Sequence, residues 1–196
     1  MSFTVFNTKI KISFLFMATL CVLLMCDKTG LVLPMLFAVF LHEMAHLSVM
    51  WVSRCAPKEI NLCPGGVQIL ASPVRNKPEI LILLSGPVIN ILLFIVLWFP
   101  FDKTSHTSVL EFAVINLIYG VFNLIPVRNL DGGSIVEIIL TEFFGFQKAR
   151  IILNIITIAF AVAILLLALF FSINGDVNYS LYIMVLYLFI PIIFKF

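Results

Sequence analysis

Charge is scarce in this chain. Lys, Arg, Asp and Glu make up 11% of its 196 residues and hydrophobic residues 62%, whereas a soluble domain carries about 25% charged residues. That shortage excludes an ordinary water-soluble globule. The formal net charge is only +2, so no basic surface of the kind that nucleic acid requires is available, and nucleic acid is set aside as a partner. Cysteine is sparse as well. Cys21 and Cys26 lie in or at the end of the first apolar run, and Cys55 and Cys63 stand outside any C-x-x-C pair, which implies neither a disulfide framework nor a thiolate metal site.

What the chain does have is long apolar runs, with a mean hydropathy of +1.18. A spanning helix needs about 20 mostly apolar residues. Six stretches come close: 13–26, 31–52, 80–99, 108–126, 151–172 and 179–194. The expectation is an all-α polytopic membrane protein, a single domain over residues 1–196 with six transmembrane helices. A cleavable signal peptide is the weaker reading of the N-terminus, because no A-x-A-like site follows the first run and a second span starts almost at once. With six spans, Lys9, Lys11, Arg54, Lys58, Arg75, Lys77, Arg128, Lys148, Arg150 and Lys195 fall on one side, and only Lys28 and Lys103 on the other. Short cytoplasmic loops collect Lys and Arg, so both termini are expected in the cytoplasm and the protein in the cell membrane.

The second run contains His42-Glu43-Met44-Ala45-His46. Ionisable groups at membrane depth are costly and mark function by default, and H-E-x-x-H on a helix is a zinc-metalloprotease signature. At 3.6 residues per turn His42 and His46 project from one face, one above the other, so two imidazoles can share an ion. Glu43 is rotated by about 100° from His42, which suits a general base acting on water better than a ligand. A catalytic zinc needs a third protein ligand and an open fourth position. His106 is expected in an external loop on the wrong side, and Glu111 lies near the outer end of span four. Asp131, beyond the cytoplasmic end of span four, is the better candidate. Pro126 ends regular helix there, and Gly132 with Gly133 is expected to allow irregular backbone lining a buried site.

Taken together, three segments resemble the site-2 protease family of intramembrane zinc metalloproteases, peptidase family M50. They are His42 to His46, Ser85-Gly86-Pro87-Val88-Ile89-Asn90, and Asn123-Leu124-Ile125-Pro126 followed by Leu130-Asp131-Gly132-Gly133. The resemblance implies that His42, His46 and Asp131 bind one Zn2+, that Glu43 activates water, and that Asn123 is a polar group near the centre. Gly132 belongs to the same neighbourhood. Asn90 reads equally as a site residue or as interhelical packing glue. The layout leaves no room for a PDZ insertion or a CBS domain. It is most similar to the minimal stage IV sporulation FB-like branch, which processes a membrane-associated sigma-factor precursor.

Peptide-bond attack needs an extended substrate. Residues 59–70 alternate partly on both sides of Pro64-Gly65-Gly66 and read as a membrane-surface β-hairpin between helices two and three. With the strand-like Lys9 to Ser13 beside it, the hairpin would offer an edge to an unwound substrate through Gly66, Val67 and Ile69. The expected partners are a transmembrane or membrane-associated protein substrate, the lipid bilayer and regulatory membrane proteins. A metal-ion transporter using the same groups, and an inactive scaffold of the family fold, are the rival classes. A transport path would carry ionisable residues at several depths, whereas here they gather at one level.

Overall fold

The computed structural model describes residues 2–5, 8–55, 57–63, 66–71, 76–99, 107–173 and 179–193. The chain divides into two compact units, Met1–Phe122 and Asn123–Phe196.

The first unit opens with two short strands, β1 (Ser2–Val5) and β2 (Thr8–Ile12). Helices α1 (Phe14–Cys26) and α2 (Val32–Val52) follow, and then β3 (Pro57–Cys63) and β4 (Gly66–Ala71). Helices α3 (Asn76–Trp98) and α4 (Thr107–Asn123) complete the helical part of this unit. The strands form one sheet in the order β1-β2-β3-β4. The outer pairs are antiparallel, and β2 runs parallel to β3 with Lys9 opposite Glu59 and Ile12 opposite Leu62. The hairpin expected after the metal helix is therefore present, and the N-terminal strand joins it. Alternation explains β2, because Lys9 and Lys11 are exposed while Ile10 and Ile12 are partly covered. The turn residues Pro64 and Gly65 lie outside the described residues, as does His106.

Polar side chains set the helix boundaries. Ser13 caps α1 by accepting a hydrogen bond from the Phe16 amide at 3.2 Å. Asp27 organises the next start: its carboxylate accepts from the backbone amides of Thr29 and Gly30, from the Thr29 hydroxyl, and at 3.0 Å from the Val32 amide that opens α2. Burial raises the Asp27 pKa, but these bonds outweigh it and hold the carboxyl below its ordinary value. At its other end α2 is closed by Arg54 in the left-handed region, at φ 55°.

Helices α2, α3 and α6 (Phe146–Ile173) are long and apolar enough to cross a membrane, and α1 and α4 are shorter apolar helices. Each expected span coincides with a helix, although α4 stops at Asn123 rather than at Pro126 and residue 194 lies outside the described residues. Helix α1 has no buried residue, and Phe14 and Met25 are each 87% exposed, a surface suited to lipid rather than water.

In the second unit, α6 packs against α5 (Asp131–Phe144) and α7 (Tyr179–Ile193). One stripe of α6, consisting of Ala149, Leu153, Thr157, Ala161, Ile164 and Ala168, is buried at three- and four-residue spacing. Helix α5 corrects the sequence reading. Asp131, Gly132 and Gly133 form its first turn and are not irregular backbone. Both glycines are required for a different reason, which is space: a Cβ on Gly132 would collide with the Leu124 carbonyl, and one on Gly133 with the Val127 carbonyl.

Candidate metal centre

One face of α2 carries Ala38, His42, His46 and Met50, all buried. Four-residue spacing stacks them along one stripe, so the histidines turn away from solvent together. His42 is 2% exposed. Their Nε2 atoms face each other at 3.0 Å, with the rings edge to face. Helix α3 answers with Ile82, Gly86 and Asn90, again spaced by four. The Ile82 carbonyl lies 2.7 Å from His46 Nδ1, and Asn90 Oδ1 lies 2.8 Å from His42 Nδ1. The Ile82 carbonyl can only accept, so His46 carries a hydrogen on Nδ1, and the neutral ring presents a bare Nε2 lone pair. Ser85 donates to the same carbonyl at 2.6 Å and lies 3.4 Å from His46 Nδ1. Gly86 fills the position across from the ring pair, where a Cβ would come within 2.6 Å of His42 Nε2.

Asn90 is fully buried and is a partner of His42, and it also bridges helices. Its amide nitrogen donates to the Ala38 carbonyl at 3.3 Å and to Asn116 Oδ1 at 2.9 Å. The Tyr119 ring packs edge-on against His42 with centroids 5.0 Å apart. Glu43, one residue along α2, is half-buried.

In the second unit, the turn before α5 is built around Asn129 at φ 70°, with the Leu130 amide bonded to the Val127 carbonyl at 3.1 Å. The backbone amide of Arg128 donates to Thr157 Oγ1 at 3.1 Å, and its guanidinium donates to Asn154 at 3.0 Å. Those bonds anchor the turn to α6 and fix where α5 begins. Asp131 is then the first residue of that helix, an end that favours a carboxylate. Asn123 is buried at the C-terminal end of α4.

Two unprotonated imidazole nitrogens at 3.0 Å repel unless a cation lies between them, either a proton or a metal ion. Two nitrogens bound to one zinc at its usual bond length and tetrahedral angle would stand about 3.3 Å apart, close to the spacing found. Both Nδ1 atoms are already held by oxygen acceptors, the outer-shell arrangement that metal-bound histidines almost always have. His42 and His46 are thus a pair that could hold one metal ion, and Asp131, in the second unit, is the carboxylate that the sequence reading expects as the third ligand.

The comparisons with known proteins agree with this chemistry. A family model described as peptidase family M50 matches residues 101–168. Over that stretch the chain is similar to peptidase family M50. Zinc metalloprotease MJ0392 of Methanocaldococcus jannaschii is 29% identical over 117 residues, 57% of this chain and 34% of that protein. Stage IV sporulation protein FB of Bacillus subtilis is 28% identical over 124 residues, 60% of this chain and 43% of that protein. The chain thus spans less than half the length of these curated relatives. In fold it is similar to the site-2 protease from Methanocaldococcus jannaschii, with a TM-score of 0.70 and 24% identity over 96% of this chain and 92% of that one.

Several residues of this centre were not singled out in the sequence as parts of it. They are Ile82 and Ser85, which hold His46, Gly86, which makes room for the rings, Asn116 behind Asn90, and Tyr119 against His42. Asn116 had a signal, being an amide inside an apolar run. Ile82 had none, because it acts through its backbone.

Proposed function

We propose that this chain is an intramembrane zinc metalloendopeptidase with six membrane spans and both termini in the cytoplasm. On this reading it hydrolyses peptide bonds of a membrane-embedded or membrane-associated protein near the cytoplasmic face. The observation that carries the reading is the pair of buried Nε2 atoms at 3.0 Å, each with its Nδ1 already held. His42, His46 and Asp131 would hold the ion. A bound zinc supplies Lewis acidity towards a carbonyl oxygen and lowers the pKa of water to about 7.

The chain's own residues do the rest. Glu43, beside His42 on the same helix turn, accepts the proton of the attacking water and then returns it to the leaving amine, a general acid–base role worth about 10²–10⁴-fold in rate. Asn123 and Asn90 are buried polar groups assigned to the neighbourhood of the centre, Asn90 as the holder of His42, and Gly132 admits the backbone that precedes Asp131. Substrate must arrive extended, since a helical backbone has its carbonyls already bonded. Strand β4 is an outer strand of the sheet, and its residues Gly66, Val67 and Ile69 are assigned to bind the unwound segment by strand addition. Processing of a sigma-factor precursor is the substrate reading that follows from the likeness to stage IV sporulation protein FB. Regulatory membrane proteins are further candidate partners.

Co-expression with single-span or pro-sequence substrates, comparing the wild type with Glu43→Gln, tests the reading. Cleavage by the wild type alone supports it, and equal product from both sinks it.

A further inference from the structure

We propose that Asn116, in the middle of α4, is a positioning residue that sets the tautomer of His42 through Asn90. The inference rests on the metal-site reading above and deepens it.

Asn116 is fully buried in an apolar helix, a costly place for an amide unless every polar atom has a use. Both ends of its network are backbone carbonyls, which can only accept. Asn116 Nδ2 donates to the Phe112 carbonyl at 2.8 Å, which turns its Oδ1 towards Asn90. Asn90 Nδ2 donates to that oxygen at 2.9 Å and, over a longer 3.3 Å, to the Ala38 carbonyl. Both hydrogens of the Asn90 amide are then used, and its Oδ1 is the only group left to face His42 Nδ1 at 2.8 Å. The neutral imidazole must donate there, so its Nε2 is bare and available to an ion.

His46 has no such dependence, because a main-chain carbonyl holds it. The tautomer of His42, by contrast, is set by side chains on two other helices. Gly120, one turn beyond Asn116, permits the close approach: a Cβ there would lie 3.1 Å from Asn90 Cβ and 3.1 Å from the Pro87 carbonyl. Remove the Asn116 acceptor and Asn90 keeps only its longer bond. Its amide can then rotate to offer a hydrogen to His42 Nδ1, which drives the imidazole hydrogen onto Nε2, where it blocks coordination.

The test uses the full chain in detergent with Zn2+ as the probe. Affinity is read by chelator competition, and the His42 tautomer by 15N shifts of the metal-free protein. Asn116→Leu should weaken Zn2+ binding about tenfold, the lower end for outer-shell partners, and should shift His42 towards the Nε2-protonated form. Asn116→Asp keeps an acceptor and should stay within about threefold of wild type. In an Asn90→Asp background the carboxylate has no hydrogen to present, so adding Asn116→Leu should cost no further affinity. An equal cost in both backgrounds, or an unchanged tautomer and affinity, overturns the proposal. If Asn116→Leu does not fold, Asn116→Ala is read in the same two backgrounds. A wild-type chain that binds no Zn2+ would instead refute the metal-site reading itself.

Discussion

Gly86 faces His42 so closely that a single added methyl would lie within 2.6 Å of its Nε2. The contact is as much a part of the centre as the imidazoles are. Gly86→Ala should therefore push the rings apart or force α3 away from α2, and zinc affinity should fall by about tenfold or more. Zinc content of the purified chain, measured beside the wild type, checks this. Wild-type zinc content in Gly86→Ala would contradict the geometry.

Substitutions at the centre should separate binding from chemistry. Glu43→Gln is expected to keep its metal and lose about 10²–10⁴-fold in cleavage rate. His42→Ala and Asp131→Ala should lose metal and cleavage together. An active variant at any of the three positions would remove that residue from its assigned role.

Helix α5 was not legible in the sequence, and its first turn shows why. Asp-Gly-Gly has the composition of a turn, and each glycine costs about 1 kcal/mol in a helix relative to alanine. Only the carbonyls of Leu124 and Val127, pressed against that turn, make glycine the residue that fits. Gly132→Ala and Gly133→Ala should thus destabilise the fold by about 1–3 kcal/mol, the usual range for overpacking. Intrinsic helix propensity alone would make both substitutions stabilising. Thermal unfolding of the two variants in detergent distinguishes the outcomes by sign.

The histidine pair, by contrast, was readable from spacing alone, because two residues four apart must share a helix face whatever surrounds them. The hairpin was readable from alternation on either side of Pro64-Gly65-Gly66. The supports of the imidazoles were less readable, since Ile82 holds His46 through its backbone and Asn116 acts from behind Asn90, across helix interfaces that no local period encodes. Strand β1 was missed for a similar reason, being only four residues long and stabilised by β2.

The outer strand carries its own prediction. Val67→Pro or Ile69→Pro removes a backbone N–H from β4, and cleavage should be abolished while zinc content stays at the wild-type level. Retained cleavage would exclude strand addition at this edge.

Within the sheet, the hydrogen bond from Lys11 Nζ holds the Glu59 carboxyl below its ordinary value of 4.5. Burial opposes this more weakly, and Asn61 and Lys9 add to the lowering. A depressed carboxylate pKa contributes stability at neutral pH that is lost as pH falls through the folded-state value, so the link between β2 and β3 should weaken only in acid. In Lys11→Gln the Glu59 titration, followed by NMR, should move up towards 4.5. No upward movement would show that the lysine is not the cause.

Side-by-side parallel strands have a topological corollary. The polypeptide departs from β2 at Ser13 and returns at Pro57, beside Thr8 at the opposite end of the same strand, so α1 and α2 together lead back to the sheet they left. Whichever compartment houses the sheet must own both ends of that excursion. Were both helices to cross a bilayer, the leg bearing the two imidazoles could not reverse its direction unless its companion reversed too.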